Sequence, residues 1–191
     1  MRNPFLQDVR KQHPRFFRAV AADARVTLAY RAEPYDFQSK LKLVFEILRL
    51  CWVADAFLAL VLYRMRSRMT RFRIPLIPTI LHRIAMMHSQ VSIGSTVIIN
   101  PGIYIPHGQI VIDGMTEIGS GAVFSPWVTI GLRAGVFQGP KLGQNVHIGT
   151  GAKIIGPISI GDGVVIGANA VVVKDMPAYV TTVGIPARAK E

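Results

Sequence analysis

The sequence predicts a mainly β fold, a parallel β-helix of about five coils that follows an α-helical N-terminal region. Three observations support this fold class. Apolar residues recur at every sixth position over much of the segment from Ile93 to Val172, whereas apolar residues before position 90 follow helical spacing. The positive charge lies almost entirely before position 90. We therefore divide the chain into a basic α-helical region, residues 1–89, and a β-helix domain with a C-terminal tail, residues 90–191.

The composition restricts the partners and the compartment. Residues 1–89 contain 16 Lys and Arg against 6 Asp and Glu, and residues 90–191 contain 6 against 5, so the net charge of +11 belongs to the front half. Such a region suits an anionic membrane, and no motif that reads nucleic acid accompanies it. The single cysteine, Cys51, cannot form an intrachain disulfide, and MRNPFLQDVRKQHPRFF lacks the apolar core of a signal peptide. We expect a cytoplasmic protein, with the inner membrane face as an alternative location.

Three helices are predicted in the front half. From Asp36 to Met69 no proline or glycine interrupts the chain, and its apolar residues recur at helical spacing, which predicts one long amphipathic helix. Its charged residues leave no apolar run long enough to cross a membrane. Shorter helices are expected over Pro14–Ala32 and Ile80–Met87. An arginine cluster after position 63 is a candidate contact for an anionic surface, and a solvated helix face explains it equally well; its members are Arg64, Arg66, Arg68, Arg71 and Arg73.

The six-residue period after position 90 fits neither an α-helix nor a simple strand. It is typical of a parallel β-helix, in which each hexad forms a short strand and a corner, and three hexads form one triangular coil. The apolar anchor of each hexad is expected to point into the prism. The predicted anchors are Ile93, Ile99, Ile105, Ile112, Ile118, Phe124, Ile130, Val136, Leu142, Ile148, Ile154, Ile160, Ile166 and Val172.

The period fails once, beside a histidine. Ile105 and Ile112 are seven positions apart, so one residue must bulge from the coil. Bulges often re-aim a side chain next to an active site. His107 lies in this stretch on the outward side, and an imidazole is suited to take a proton from a hydroxyl near neutral pH. A surface histidine beside a harmless insertion is the alternative.

Residues 80–188 resemble the serine acetyltransferase-like branch of the hexapeptide acyltransferases, which includes bacterial polysaccharide O-acetyltransferases. The segments that carry the resemblance are ILHRIAMMHSQVSIG, GIYIPHGQIVID, VTIG, GPKLGQNVHIGTGAKIIGPISIGDGVVIGANAVVVKDMP and GIPAR. The resemblance implies a left-handed β-helix, acetyl-coenzyme A as co-substrate, and a homotrimer with active sites between subunits. It also implies that His107 is the general base that deprotonates the acceptor hydroxyl.

The chain departs from this pattern where serine acetyltransferases bind their amino acid. It has Pro106 in place of an aspartate before the base, Met86 in place of the aspartate of the entry motif, and Gly139 in place of a second histidine. Without these charge partners a zwitterion is a poor ligand. We expect the acceptor to be a sugar or polysaccharide precursor, with free serine as the alternative and a non-catalytic scaffold as a further one. Asp113 is the candidate that orients His107, although a backbone carbonyl would also serve.

The remaining candidate residues follow from the resemblance and from their outward positions. For the coenzyme they are Gly131, a backbone donor to the thioester oxygen, the corner residues Gly149, Gly167 and Ala168, and the cations Lys174 and Arg188. For the acceptor they are Trp127, Arg133 and Phe137, the last two in a segment that related proteins loop out. A metal is not expected, because no two outward histidines of the coil region lie closer than 19 residues to each other.

Overall fold

The computed structural model describes residues 11–37, 39–71 and 76–189, and begins with four helices. They are α1 (Phe16–Tyr30), α2 (Lys40–Val53), α3 (Phe57–Arg71) and α4 (Ile77–Ser89). The helices α1 and α4 confirm the two short predicted helices, with ends that differ by two to three residues. The single helix predicted from Asp36 to Met69 is wrong, because the chain leaves the helical conformation between α2 and α3.

The break between α2 and α3 has a tertiary cause. Ala54, at the end of α2, is extended, with φ −112° and ψ 119°. The carbonyl oxygen of the next residue, Asp55, accepts a hydrogen bond of 2.6 Å from the hydroxyl of Ser89, at the end of α4. A side chain distant in sequence thus partners a carbonyl that would otherwise bond within a helix. Neither glycine nor proline is needed for such a break, so the local sequence does not predict it.

Fourteen short strands follow the helices. They are β1 (Val91–Ile93), β2 (Ile98–Ile99), β3 (Ile110–Ile112), β4 (Met115–Ile118), β5 (Val123–Phe124), β6 (Thr129–Gly131), β7 (Gln138–Leu142), β8 (His147–Ile148), β9 (Lys153–Ile155), β10 (Ser159–Ile160), β11 (Val165–Ile166), β12 (Val171–Val172), β13 (Thr181–Gly184) and β14 (Ala187–Ala189). They form sheets of five, four and five strands, ordered β1-β3-β6-β9-β12, β10-β7-β4-β2 and β14-β13-β11-β8-β5. Neighbouring strands in these sheets pair in parallel except β13 and β14, as a parallel β-helix requires.

The predicted anchors fill the interior of the prism. Thirteen of the fourteen are buried, from Ile93 to Val172, and together they form one apolar core. Val136 is the exception, since it is only half-buried and lies in the loop between β6 and β7. The prediction that Val136 is an anchor is therefore wrong. Residues 132–137 leave the prism as a loop instead of forming a regular hexad.

The helices close the first coil of the β-helix. The apolar core is continuous from Leu60 in α3 and Ala85 in α4 to the anchors of the prism. The first coil has no preceding coil to pair with, so part of its backbone polar groups would be unsatisfied. Tyr63 donates to the carbonyl oxygen of Val97 over 2.8 Å. Arg64 donates to the carbonyl oxygens of Ile99 and Asn100, the latter over 2.9 Å.

Asp23 of α1 completes this closure from the acceptor side. It is 1% exposed and accepts from the amides of Gly102 and Ile103 over 2.8 and 2.9 Å. Its other oxygen accepts from Arg64 Nε over 3.0 Å. The carboxylate therefore binds two coil amides and neutralises the arginine that binds the coil carbonyls. The helical region is a cap for the open end of the prism.

This geometry corrects the prediction for the arginine cluster. Arg64 and Arg66 are buried, and Arg66 donates to the carbonyl oxygen of Ile93, so neither can contact an outside surface. Arg68 is exposed. Arg73 and the side chain of Arg71 lie outside the described residues. None of the helices in the described ranges is long and apolar enough to cross a membrane.

Candidate active site

The surplus residue lies at a corner of the prism, next to His107. In a regular coil the corner residue with left-handed backbone comes three positions after the anchor, as Trp127 (φ 66°) follows Phe124. After Ile105 it comes four positions later, at Gln109 (φ 65°). The insertion therefore falls between Ile105 and Gln109. It lengthens the corner that carries His107.

His107 contacts a carboxylate that the helical region supplies. Its Nδ1 lies 2.7 Å from Oδ2 of Asp55, in the turn between α2 and α3. Because a carboxylate only accepts, this bond favours the tautomer with hydrogen on Nδ1 and leaves the lone pair on Nε2. The side chains of His107 and Asp55 are 64% and 66% exposed, so a ligand can reach both.

Asp55 is held in place by the end of α4. The Ser89 hydroxyl donates to the Asp55 carbonyl. The hydroxyl oxygen of Ser89 also lies 2.7 Å from Nδ1 of His88, which can donate to this oxygen. Ser89 is buried, and its backbone carbonyl oxygen accepts a hydrogen bond of 2.9 Å from the amide of Gln109. One residue thus bonds to both sides of the pair, the turn that carries Asp55 and the corner that carries His107.

Gly108 permits this close approach. A methyl group added to Gly108 would lie 1.6 Å from the carbonyl oxygen of Ser89, which no side chain can tolerate. The corner therefore packs directly against the backbone at the end of α4.

Tyr104, one strand earlier, stacks on Tyr30 with ring centroids 4.4 Å apart. Burial raises the pKa of Tyr104, and the charge of Asp55 adds to that shift, so this phenol stays neutral.

The prediction that Asp113 orients His107 needs correction. The Asp113 carboxylate accepts from the amide of Gly114 over 2.7 Å, and a methyl group added to Gly94 would meet it at 2.7 Å. Asp113 thus stabilises the next corner of its own coil. The carboxylate on Nδ1 of His107 is that of Asp55, 52 residues earlier in the chain.

The three corner residues proposed for the coenzyme lie in the same column as His107. Tyr104 bridges to β5, and β5, β8 and β11 pair in order, so the corners after them stack along one edge. Gly149 and Gly167 occupy this edge with Ala168. A methyl group on Gly149 would lie 2.7 Å from the amide nitrogen of Ala168, and one on Gly167 would lie 2.7 Å from Val183. Contacts between coils therefore explain both glycines without a ligand.

Gly131 differs from these corner glycines. It is buried at the end of β6, yet a methyl group added to it would meet no atom of the chain within 4 Å. The space beside it is therefore open to a group from outside the chain. Gly131 belongs to a different corner from His107, where the loop 132–137 begins.

The two predicted cations are both exposed near the far end of the prism. Lys174 follows β12, and Arg188 lies in β14 opposite Val183. From β3, next to His107, to β12 there are three steps of strand pairing through β6 and β9. At about 4.8 Å per step this amounts to roughly 14 Å along the prism axis.

The candidates for acceptor binding are exposed but lie at separate places. Trp127 is 57% exposed in the coil that follows His107, and its amide donates to the carbonyl of Gln109 over 2.9 Å. Its own carbonyl accepts from Lys153 Nζ over 2.7 Å. Arg133 and Phe137 are exposed in the loop 132–137, at the corner of Gly131. Among the described residues, no group of three or more His, Cys, Asp or Glu side chains is placed to hold a metal.

Comparison with known proteins places the chain in a family. Residues 139–174 match the model for the bacterial transferase hexapeptide, six repeats. A serine acetyltransferase of Synechococcus elongatus is 35% identical over 176 residues, which cover 90% of this chain and 68% of that protein. One of Helicobacter pylori is 39% identical over 134 residues, which cover 68% of this chain and 78% of that protein. The chain belongs to the serine acetyltransferase family.

Solved structures of this family match nearly the full length of this chain. The serine acetyltransferase of Neisseria gonorrhoeae in complex with serine has a TM-score of 0.75 at 26% identity. The match covers 97% of this chain and 73% of the Neisseria gonorrhoeae chain. The soybean apoenzyme has a TM-score of 0.76 at 28% identity, and covers 94% and 71%. The family membership makes the protein an acyltransferase, with the left-handed β-helix expected from the sequence and a helical region before it. The polysaccharide branch of the resemblance stays a prediction.

Sequence reasoning missed Asp55, although the sequence contains a signal for it. Within Cys51–Tyr63 every residue is apolar except Asp55. A lone carboxylate in such a run needs either a hydrogen-bond partner or exposure to solvent. Asp55 has both, since it contacts His107 and its side chain is exposed. In the continuous helix predicted from Asp36 to Met69, Asp55 only interrupts an apolar stretch, because such a helix has no turn from which Asp55 could reach the β-helix.

Proposed function

We propose that the protein is an acetyl-coenzyme A-dependent O-acetyltransferase in which His107 is the general base and Asp55 its positioning residue. The observation that carries this proposal is the 2.7 Å contact between His107 Nδ1 and Asp55 Oδ2 at the lengthened corner. Because the Nδ1–H of His107 donates a hydrogen bond to Asp55, Nε2 keeps a free lone pair. Nε2 accepts the proton of the acceptor hydroxyl as the hydroxyl oxygen attacks the thioester carbonyl. The C–S bond breaks, and His107 returns the proton to the departing thiolate. No covalent acyl-enzyme is required.

Free serine is the acceptor that we propose first. The support is the set of serine acetyltransferases at 35% and 39% identity, and the Neisseria gonorrhoeae relative described in complex with serine. Turnover of acetyl-coenzyme A with L-serine, followed by thiol release, tests this acceptor. Absence of turnover with serine, together with turnover on a neutral hydroxyl compound, would contradict it.

A sugar hydroxyl is the second candidate, favoured by the uncharged positions around the site. Met86 and Pro106 offer no carboxylate, and Asp55 is already engaged with His107. Gly139 is buried, and a side chain there would meet Thr116 Oγ1 at 2.3 Å, so this strand cannot simply accommodate a histidine. A panel of hexoses and amino sugars, assayed beside L-serine at equal concentration, discriminates the two acceptors by their kcat/KM.

For the coenzyme we propose a path along the prism from the His107 corner toward Lys174 and Arg188, whose charges suit the nucleotide phosphates. Gly131 offers open space for a close approach. The pair of His107 and Asp55 is about two-thirds exposed in the single chain, so we also propose that a neighbouring subunit completes the site in a homotrimer. Light scattering should then give about three times the chain mass of 21.0 kDa.

The role of Asp55 is tested with Asp55→Asn, with Asp113→Asn as the matched control. An amide that accepts through its oxygen still contacts Nδ1 but stabilises the imidazolium poorly, so kcat should fall roughly 100-fold. The acidic limb of the pH profile should also shift, which a purely structural residue would not cause. Asp113→Asn should keep kcat within a few-fold. A large loss in the Asp113 variant with an active Asp55 variant would overturn the assignment.

A further inference from the structure

Helix α2 leaves an apolar stripe exposed along its whole length. The stripe consists of Leu41, Val44, Phe45, Leu48 and Trp52. Leu41 is 83% exposed and Trp52 is 91% exposed, and the other three are half to two-thirds exposed. The spacing of three and four residues places these side chains on one face of a helix. An exposed patch of this size on one element marks a binding surface more often than an accident of composition.

The stripe is not the face by which α2 packs on the protein. Leu50 is fully buried in the smaller apolar cluster, and Ile47 and Cys51 pack against it. At about 3.6 residues per turn, Leu50 lies on the side opposite Leu41 and Trp52. The helix therefore satisfies its contact with α1 and α3 through one face, and carries a second apolar face that the chain leaves without a partner among the described residues.

The charges around the stripe decide which partner fits it. Lys40 and Lys42 are exposed and lie at its two edges on the helical projection. The only acid of α2, Glu46, is paired with Arg49 over 2.6 Å, and Arg49 also binds Glu33, so α2 itself, which is described in full, offers the stripe no unpaired carboxylate. Residues 1–89 carry a net charge of +10, although the buried Arg64 and Arg66 add nothing to the charge of their surface. A second copy of this chain would bring the same positive charge against it, whereas an anionic bilayer offers both apolar depth and opposite charge.

We propose that α2 docks the protein on an anionic membrane, lying in the plane of the interface with the stripe in the acyl region. The two lysines extend to the headgroups, and Trp52 takes the position at the membrane–water boundary that indoles prefer. The turn with Asp55 follows α2 directly, so docking holds the His107 corner close to the membrane surface. This inference does not depend on the identity of the acceptor.

The test uses flotation of the full chain with vesicles of 70% phosphatidylcholine and 30% phosphatidylglycerol, compared with pure phosphatidylcholine. Wild type should float with the anionic vesicles and lose most binding without the anionic lipid or at high salt. The combined variant Phe45→Ser, Leu48→Ser and Trp52→Ser should lose binding roughly ten-fold or more. The variant Lys40→Glu with Lys42→Glu should also lose binding. Val165→Ser, which removes an exposed apolar group from the β-helix, should bind as wild type does.

Acetyl transfer in detergent-free solution and the far-ultraviolet circular dichroism of each variant show that the fold is intact. In a Trp127→Phe background, brominated lipids should quench the fluorescence of Trp52. Wild type that stays unbound on the anionic vesicles would overturn the proposal. So would a stripe variant that floats unchanged, or one whose only defect is a smaller oligomer by light scattering, since the stripe would then be an interface between copies.

Discussion

The β-helix and its helical cap satisfy their backbone in opposite ways. Inside the β-helix each coil pairs with the next, as when the amide of Gly149 donates to Ile166 over 2.8 Å. At the first coil this repetition ends, and side chains such as Arg64 and Asp23 take over the pairing. The repeated half therefore needs only a periodic sequence, whereas the cap needs individual polar residues at single positions. The candidate active site lies where the two meet.

The largest loss of stability is expected when the cap loses its buried charge. Arg64→Met removes the donors to Ile99 and Asn100 and leaves the buried Asp23 carboxylate without its cation, so the free energy of unfolding should fall by about 3–5 kcal/mol. Denaturant unfolding measures it. Arg83→Met, at an exposed arginine of α4, is the control and should change stability by less than about 0.5 kcal/mol. Equal effects of the two substitutions would mean that the first coil does not depend on its cap.

The seam between cap and β-helix should also be intolerant of a single methyl group. Gly108→Ala places a carbon 1.6 Å from the carbonyl oxygen of Ser89, so the corner must separate from α4 at a cost of about 3 kcal/mol. Acetyl transfer should fall as well, because His107 moves away from Asp55. Gly131→Ala meets no atom of the chain within 4 Å and should keep wild-type stability. Thermal unfolding of the pair gives the answer, and a stable Gly108→Ala protein would contradict this packing.

The cap should make stability dependent on pH through His13. Burial, with smaller contributions from Arg64 and Arg66, lowers the pKa of His13 to about 4. The unfolded chain protonates this imidazole near its usual pKa of about 6.5, so the unfolded state binds more protons between these values. Stability from His13 is present above pH 6.5 and declines as the pH falls toward 4, by up to about 3 kcal/mol. His13→Phe, which keeps a ring against Tyr63, should flatten this slope in denaturant titrations; an unchanged slope would assign the pH dependence to other groups.

The smallest effect is expected on the outside of the β-helix. Lys141 pairs with Glu117 over 3.0 Å across neighbouring strands, and both side chains are at least half exposed. Lys141→Met should therefore change the free energy of unfolding by less than about 1 kcal/mol. Urea unfolding at low and high salt measures the difference. A larger loss would show that polar side chains stabilise the coils as they stabilise the cap.

The sequence predicted the repeated half of the fold because one rule applies to every coil. Thirteen anchors are buried as expected, since a six-residue period can place its apolar residue inward only one way. The prediction for Val136 fails because residues 132–137 leave the prism. Val136 is apolar and has the expected spacing, so the sequence alone does not distinguish it from an anchor. The helical half was predicted in part. The helix break at Ala54 depends on a hydrogen bond from Ser89. Ser89 is distant in sequence, so the helix propensities of the residues around Ala54 do not predict the break.

The candidate site divides in the same way. The interrupted period points to His107, and the structure places that histidine outward at the lengthened corner. Its partner, Asp55, lies 52 residues away in a region without the six-residue period, so only the folded chain brings the two together. Asp113 is the candidate that sequence proximity to His107 suggests. Its carboxylate instead bonds to the adjacent amide of Gly114, as short acidic side chains often do at turns.

The central claim is that the imidazole of His107 performs the proton transfer, and kcat/KM of a His107→Ala protein tests it most directly. Release of coenzyme A thiol is followed with L-serine and with the sugar panel, on protein whose circular dichroism and thermal unfolding match wild type. A loss of roughly 100- to 10,000-fold in kcat/KM on whichever acceptor wild type uses is the predicted result. Activity within three-fold of wild type on that acceptor would show that the lengthened corner and its carboxylate are not the catalytic centre.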